Sequence, residues 1–142
     1  MISHEPEDVG ADTPAPVTDV AESHSAIVVF FGDRAYKIKK PLDLGFLDFS
    51  TVRAREVACR NELALNRRLS PDVYLDVSQV LDGQGRTCEW ILVMLRMPAD
   101  RRLSTLISRG ADVRPQLMRL ARMLASFHST AARGPEIEAA GR

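Results

Sequence analysis

The stretch SAIVVFFGDRAYKIKKP (25–41) constrains the fold more than any other part of the sequence. A β-branched and aromatic run is followed by a Gly-Asp turn and then by alternating apolar and basic residues, the pattern of a β-hairpin. Pro41 ends the second strand, because proline brings no N–H to a ladder. The same hairpin holds Lys37, Lys39 and Lys40, the three lysines of the chain; the other sixteen basic residues are arginine. Chance and a compositional bias toward arginine account for this on one reading. On the other, the site needs a compact ammonium in place of a planar guanidinium.

The remaining elements follow from punctuation and period. LDLGFLDFS (42–50) reads as a loop anchored by Leu44, Phe46, Leu47 and Phe49, with Ser50 as the helix N-cap. Thr51 to Leu69 has no Gly or Pro, and Ala58, Glu62, Leu65 and Leu69 share one helical face. Pro71 ends that helix. VYLDVSQVL (73–81) and TCEWILVMLRM (87–97) flank DGQG, which predicts a second hairpin. A short helix over 103–108 is broken by Gly110, and a long amphipathic helix is expected over 113–132. The tail RGPEIEAAGR reads as polar, without a closing element, and residues 1–22 read as a flexible acidic leader. The order β-β-α-β-β-α is α+β: a small antiparallel sheet with one long helix, followed by further helices.

A chain of 142 residues can bury a single core. Its net charge of zero gives no electrostatic support to a nucleic-acid or membrane-surface role. Cys59 and Cys88 lack metal-ligand spacing and are expected to be small buried hydrophobes. AIVVFF (26–31) is too short to span a bilayer, and the N-terminus has neither a basic nor an apolar signal region. The expected location is therefore cytoplasmic.

Glu62 breaks the apolar stripe of its helix. Either it lies at the edge of the stripe and reaches water, or it is inside and needs a cation. Lys37 is the natural cation, because Ala35, Lys37 and Lys39 share one strand face and Tyr36 and Ile38 the other. The alternative leaves the lysine face wet, as a guard on an edge strand.

The segments AYK (35–37), Glu62 and VMLRMPADRRLSTL (93–106) together resemble the N-terminal lobe of the protein-kinase-like fold, in its aminoglycoside-phosphotransferase-like branch. LARMLASFHSTAAR (120–133) resembles the helix that opens the C-terminal lobe there. GDRAYKIKKP (32–41), FLDFST (46–51) and ELALNRRLSPDVYL (62–75) resemble segments of bacterial proteins described as bifunctional. Those proteins join such a domain to a P-loop ATPase or kinase-like domain. The resemblance covers residues 20 to 140.

The resemblance implies a kinase-like N-lobe over 23–98, then a hinge connection and the start of an incomplete C-lobe over 99–142. It implies that Lys37 contacts the α- and β-phosphates of ATP and is oriented by Glu62. Ala35 would lie against the adenine, Met94 would border the back of its pocket, and the backbone of Leu95 and Met97 would meet its polar edge. ATP with Mg²⁺ is the implied cofactor. Helix 113–132 would be the contact to a C-lobe or P-loop domain.

This sequence departs from the family in lacking a G-x-G-x-x-G turn, an HGDxHxxN-type catalytic segment and a G-x-x-x-x-G-K-[ST] P-loop. The chain is accordingly expected to be truncated and to lack phosphoryl transfer on its own, since that chemistry depends on a base and metal-assisted charge stabilisation. The competing expectations are a regulatory or interaction module without catalysis, and a decayed remnant without activity.

Overall fold

The computed structural model describes residues 17–140. The chain divides into two compact units, the first ending at Arg96 and the second beginning at Met97.

The first unit is α+β. Strands β1 (Val17–Glu22), β2 (Ala26–Phe31) and β3 (Arg34–Lys39) precede helix α1 (Val52–Arg67), and β4 (Tyr74–Leu81) and β5 (Thr87–Leu95) follow it. The five strands form one sheet in the order β1-β2-β3-β5-β4, with every neighbouring pair antiparallel. The leader expected over 1–22 is shorter than that, because 17–22 pair with β2; residues 1–16 lie outside the described residues. β-Branched Val17, Thr18 and Val20 suit a strand, but the surrounding acidic, proline-containing sequence masks them.

Both hairpins form where the turn residues place them. Gly32 turns the first with φ of 56° and Gly85 the second with φ of 78°, a left-handed conformation that favours glycine. In the second turn Asp82 accepts backbone N–H bonds from Gln84 and Arg86.

Helix α1 packs on β4 and β5. Its cap is Thr51, one residue beyond the expected Ser50: Thr51 Oγ1 accepts from the Ala54 amide at 3.0 Å. The Ser50 amide instead donates to Asp48, which shapes the loop leading into the helix. The inward face also differs from the expected stripe. Arg55 and Cys59 are buried and Glu62, Leu63 and Asn66 are half-buried, whereas Leu65 is 60% exposed. Successive residues turn about 100° around a helix, so Leu65 sits well to one side of Asn66. Counting apolar residues misplaces this face because two of its members, Arg55 and Glu62, are charged.

Cys59, Val77 and Leu92 form the core cluster, with Leu63, Tyr74, Trp90 and Met94 packed against it. Cys59 is buried as expected; Cys88 is exposed, contrary to expectation, and its Sγ meets the Val80 carbonyl. Arg67 ties the end of α1 to the start of β4, donating to the carbonyls of Tyr74 and Leu75.

The second unit is helical. A 3₁₀ turn (Ala99–Arg101) leads into α2 (Leu103–Ser108), α3 (Arg114–Thr130) and α4 (Pro135–Ala140). Gly110, with φ of 73°, closes α2 through amide bonds from Gly110 to Ile107 and from Ala111 to Leu106. The tail expected to have no closing element contains α4, which begins at Pro135, a residue favoured in a first helical turn. No residue of α3 is buried, and Leu117, Met118, Leu120 and Met123 are exposed. Among the described residues no helix is long and apolar enough to cross a membrane.

The contrast between the sheet core and the outward flank of α1 is testable by a pair of truncations. Leu92→Ala removes a fully buried side chain and is expected to cost about 3 kcal/mol. Leu65→Ala on the exposed flank is expected to cost less than about 1 kcal/mol. Urea denaturation of both variants measures the difference.

Candidate functional site

The candidate site is the contact of β3 with α1. Ala35, Lys37 and Lys39 alternate onto the sheet face that α1 covers, because strand side chains have a period of two. Ala35 is 4% exposed and Lys39 is 7% exposed. Ala35 and Lys39 therefore depart from the reading in which the lysine face is wet, whereas Lys37 keeps part of its side chain in water. The helix packs on the neighbouring strands β4 and β5 and brings a carboxylate to that face.

Glu62 is that carboxylate, and it is shared. Lys37 Nζ donates to Oε1 at 2.7 Å, and Lys39 Nζ donates to Oε2. The Lys39 ammonium also lies over the Phe49 ring, 5.1 Å from its centroid. The side chain of Lys39 is 9% exposed and that of Lys37 is 27% exposed. Lys37 is thus the lysine that reaches solvent. Burial works to raise the pKa of Glu62, but hydrogen bonds and charge from Lys37 and Lys39 outweigh it and hold the carboxyl below its ordinary value.

A second ion pair, in which Arg55 is buried and Glu89 half-buried, supports the first. Arg55 Nε donates to both carboxylate oxygens of Glu89, at 2.8 and 2.9 Å. Its Nη1 donates to the carbonyls of Phe49 and Ser50. Arg55 therefore fixes the segment that places Phe49 against Lys39. Cys59 lies between the pairs along the helix, and burial pushes its thiol pKa up, so it stays protonated and uncharged. Asn66 Nδ2 donates to the Glu62 carbonyl one turn away. Among the described residues no buried side-chain nitrogen or oxygen lacks a partner.

The other expected residues fall at the far end of the same strands. Ala35 stands opposite Met94 in the β3–β5 ladder. The Leu95 amide donates to the Val73 carbonyl at 2.8 Å, so Leu95 has no N–H to offer a ligand. Met97 is exposed and opens the second unit. Lys40 turns away from the site and pairs with Glu22 of β1.

Arg55, Glu89 and the second bond of Glu62 were not anticipated from sequence. The helical signal was available: Arg55, Cys59, Glu62 and Asn66 are spaced by four, three and four residues, which is one face. The strand signal was also available, because Lys39 shares a face with Lys37. Nothing in the sequence says that both lysines meet one carboxylate.

Over 129 residues, 91% of its length, the chain is 40% identical to proteins of Mycobacterium tuberculosis and Mycobacterium bovis, each described as an uncharacterized protein. The chain spans 26% of the length of these relatives. No family model matches the chain, and no solved structure matches it.

The Glu62 site predicts a pH dependence of stability. Its folded carboxyl titrates below its ordinary value of 4.5. The stabilisation is therefore fully present above that value and is lost as pH falls through the lower folded pKa. Glu62→Gln is expected to be clearly less stable than the parent at pH 7, and the two are expected to converge in strong acid. Urea midpoints measured from pH 7 to 2 test this; a difference that does not change with pH contradicts it.

Proposed function

We propose that the first unit is the ATP-binding N-lobe of a kinase-like phosphotransferase of the aminoglycoside-phosphotransferase-like branch. The observation that carries this reading is the Lys37–Glu62 bond, which joins the third strand to the long helix across 25 residues of sequence. A lysine so placed, partly exposed and oriented by a half-buried carboxylate, suits contact with phosphate oxygens. Ala35 and Met94 side by side in the sheet provide a small residue and a long flexible one where an adenine would lie. In this reading bound ATP supplies the phosphoryl group, and Lys37 holds and orients its α- and β-phosphates.

In this reading Lys37 is the described residue that would meet the phosphates, and the ligands of the accompanying Mg²⁺ are not assigned to this chain. Among the described residues no three His, Cys, Asp or Glu side chains come together. The sequence has no HGDxHxxN-type segment to supply a base. This chain alone is therefore assigned nucleotide binding without phosphoryl transfer.

Calorimetric titration with ATP and Mg²⁺ tests the reading. The parent chain is expected to bind, and Lys37→Ala to bind at least about tenfold more weakly through loss of a charge-assisted contact. Absence of binding by the parent, or equal binding by both, overturns it.

A second reading, an interaction module without catalysis, is favoured by α3. That helix buries none of its residues and exposes Leu117, Met118, Leu120 and Met123. Concentration-dependent association in size-exclusion chromatography is its expected outcome; a monomer at all concentrations counts against it.

A further inference from the structure

We propose that Lys39 is the fixed counter-cation of Glu62, and that it turns the Lys37–Glu62 pair into a polyphosphate-receiving site with one positive charge in excess. The proposal rests on the nucleotide-binding reading above for its choice of ligand, and on the geometry of three side chains for the rest.

A lone Lys–Glu pair is neutral. An incoming phosphate would be attracted by the ammonium and repelled almost equally by the adjoining carboxylate. Here one carboxylate serves two ammoniums, one on each oxygen. Their neighbours do not alter the balance. Arg55 and Glu89 neutralise one another, and the Cys59 thiol is held protonated by burial.

The two lysines have different surroundings and so different roles. Lys39 has a side chain 9% exposed and packs over Phe49, so it stays with Glu62. Lys37 is the more exposed of the two, so it is the one placed to leave Glu62 and turn toward a ligand. When it does, Lys39 keeps Glu62 from being a buried, unpaired charge, which would be costly. Lys39 is therefore a positioning residue: it acts on the ligand through Glu62 and Lys37 and does not touch it.

Isothermal titration with sodium tripolyphosphate, and separately with ATP, tests the proposal on the parent, Lys39→Met and the double variant Lys39→Met/Glu62→Gln. Circular dichroism checks that each is folded. Lys39→Met is expected to weaken tripolyphosphate binding about tenfold, the effect of removing one nearby charge at a partly buried site. The double variant removes one charge of each sign, again leaves one in excess, and is expected to recover most of the affinity. A purely structural role for Lys39 predicts no such recovery.

Unchanged binding by Lys39→Met, a double variant as weak as the single one, or a parent that does not bind tripolyphosphate overturns the proposal. If Lys39→Met does not fold, the double variant decides alone: near-parent affinity supports the proposal, and loss overturns it. Tripolyphosphate binding with the expected variant pattern but no ATP binding sinks the nucleotide reading and leaves the charge site standing. ATP binding that is sensitive to Lys37→Ala but indifferent to Lys39→Met does the reverse.

Discussion

The Glu62 carboxylate holds the first unit in register. It sits on the inward face of α1 and takes one ammonium on each oxygen, both from β3. A carboxylate removed from water tolerates its position only with close opposite charge. That requirement fixes the rotation of the helix, since turning it would take Glu62 from the lysines and Arg55 from Glu89 together. The apolar contacts of Cys59 with Val77 and Leu92 supply attraction without direction, and the ion pairs supply the direction.

The same arrangement explains the connection between β3 and the helix. The strand and helix are joined by a loop with apolar residues, and Phe49 is the buried anchor at 6% exposure, whereas Phe46 is 86% exposed. Arg55 holds the carbonyls of Phe49 and Ser50, Thr51 caps the helix, and Phe49 covers Lys39. Loop, cap and charge cluster are one piece of structure. A side chain that looks structural, Arg55, therefore bears on the position of one that reads as functional, Lys37.

Much of the fold was legible because its signals are local. The hairpins follow from alternation and turn residues, α1 from a stretch without breakers, and α2 and α3 from period and Gly110. The pairing of β1 was hidden in an acidic, proline-containing context, and the exposure of Cys88 cannot be read from a residue type that is usually buried. The inward face of α1 does not coincide with its apolar stripe. Its real members include an arginine and a glutamate whose partners lie 34 and 25 residues away.

The sequence by itself determined both hairpins, α1, α2 and α3 and their order, though not β1 or α4, and it singled out Lys37 and Glu62 as candidates for a pair. Local sterics, turn chemistry and periodicity are written in neighbouring residues, so they survive without the fold. Only the tertiary structure decided that Glu62 has two lysine partners, that Lys39 is the buried one, and that Arg55 joins Glu89. Those choices depend on which groups lose water together when sheet and helix meet. The cost of burying a charge is set by what surrounds it, and a sequence does not specify surroundings residue by residue.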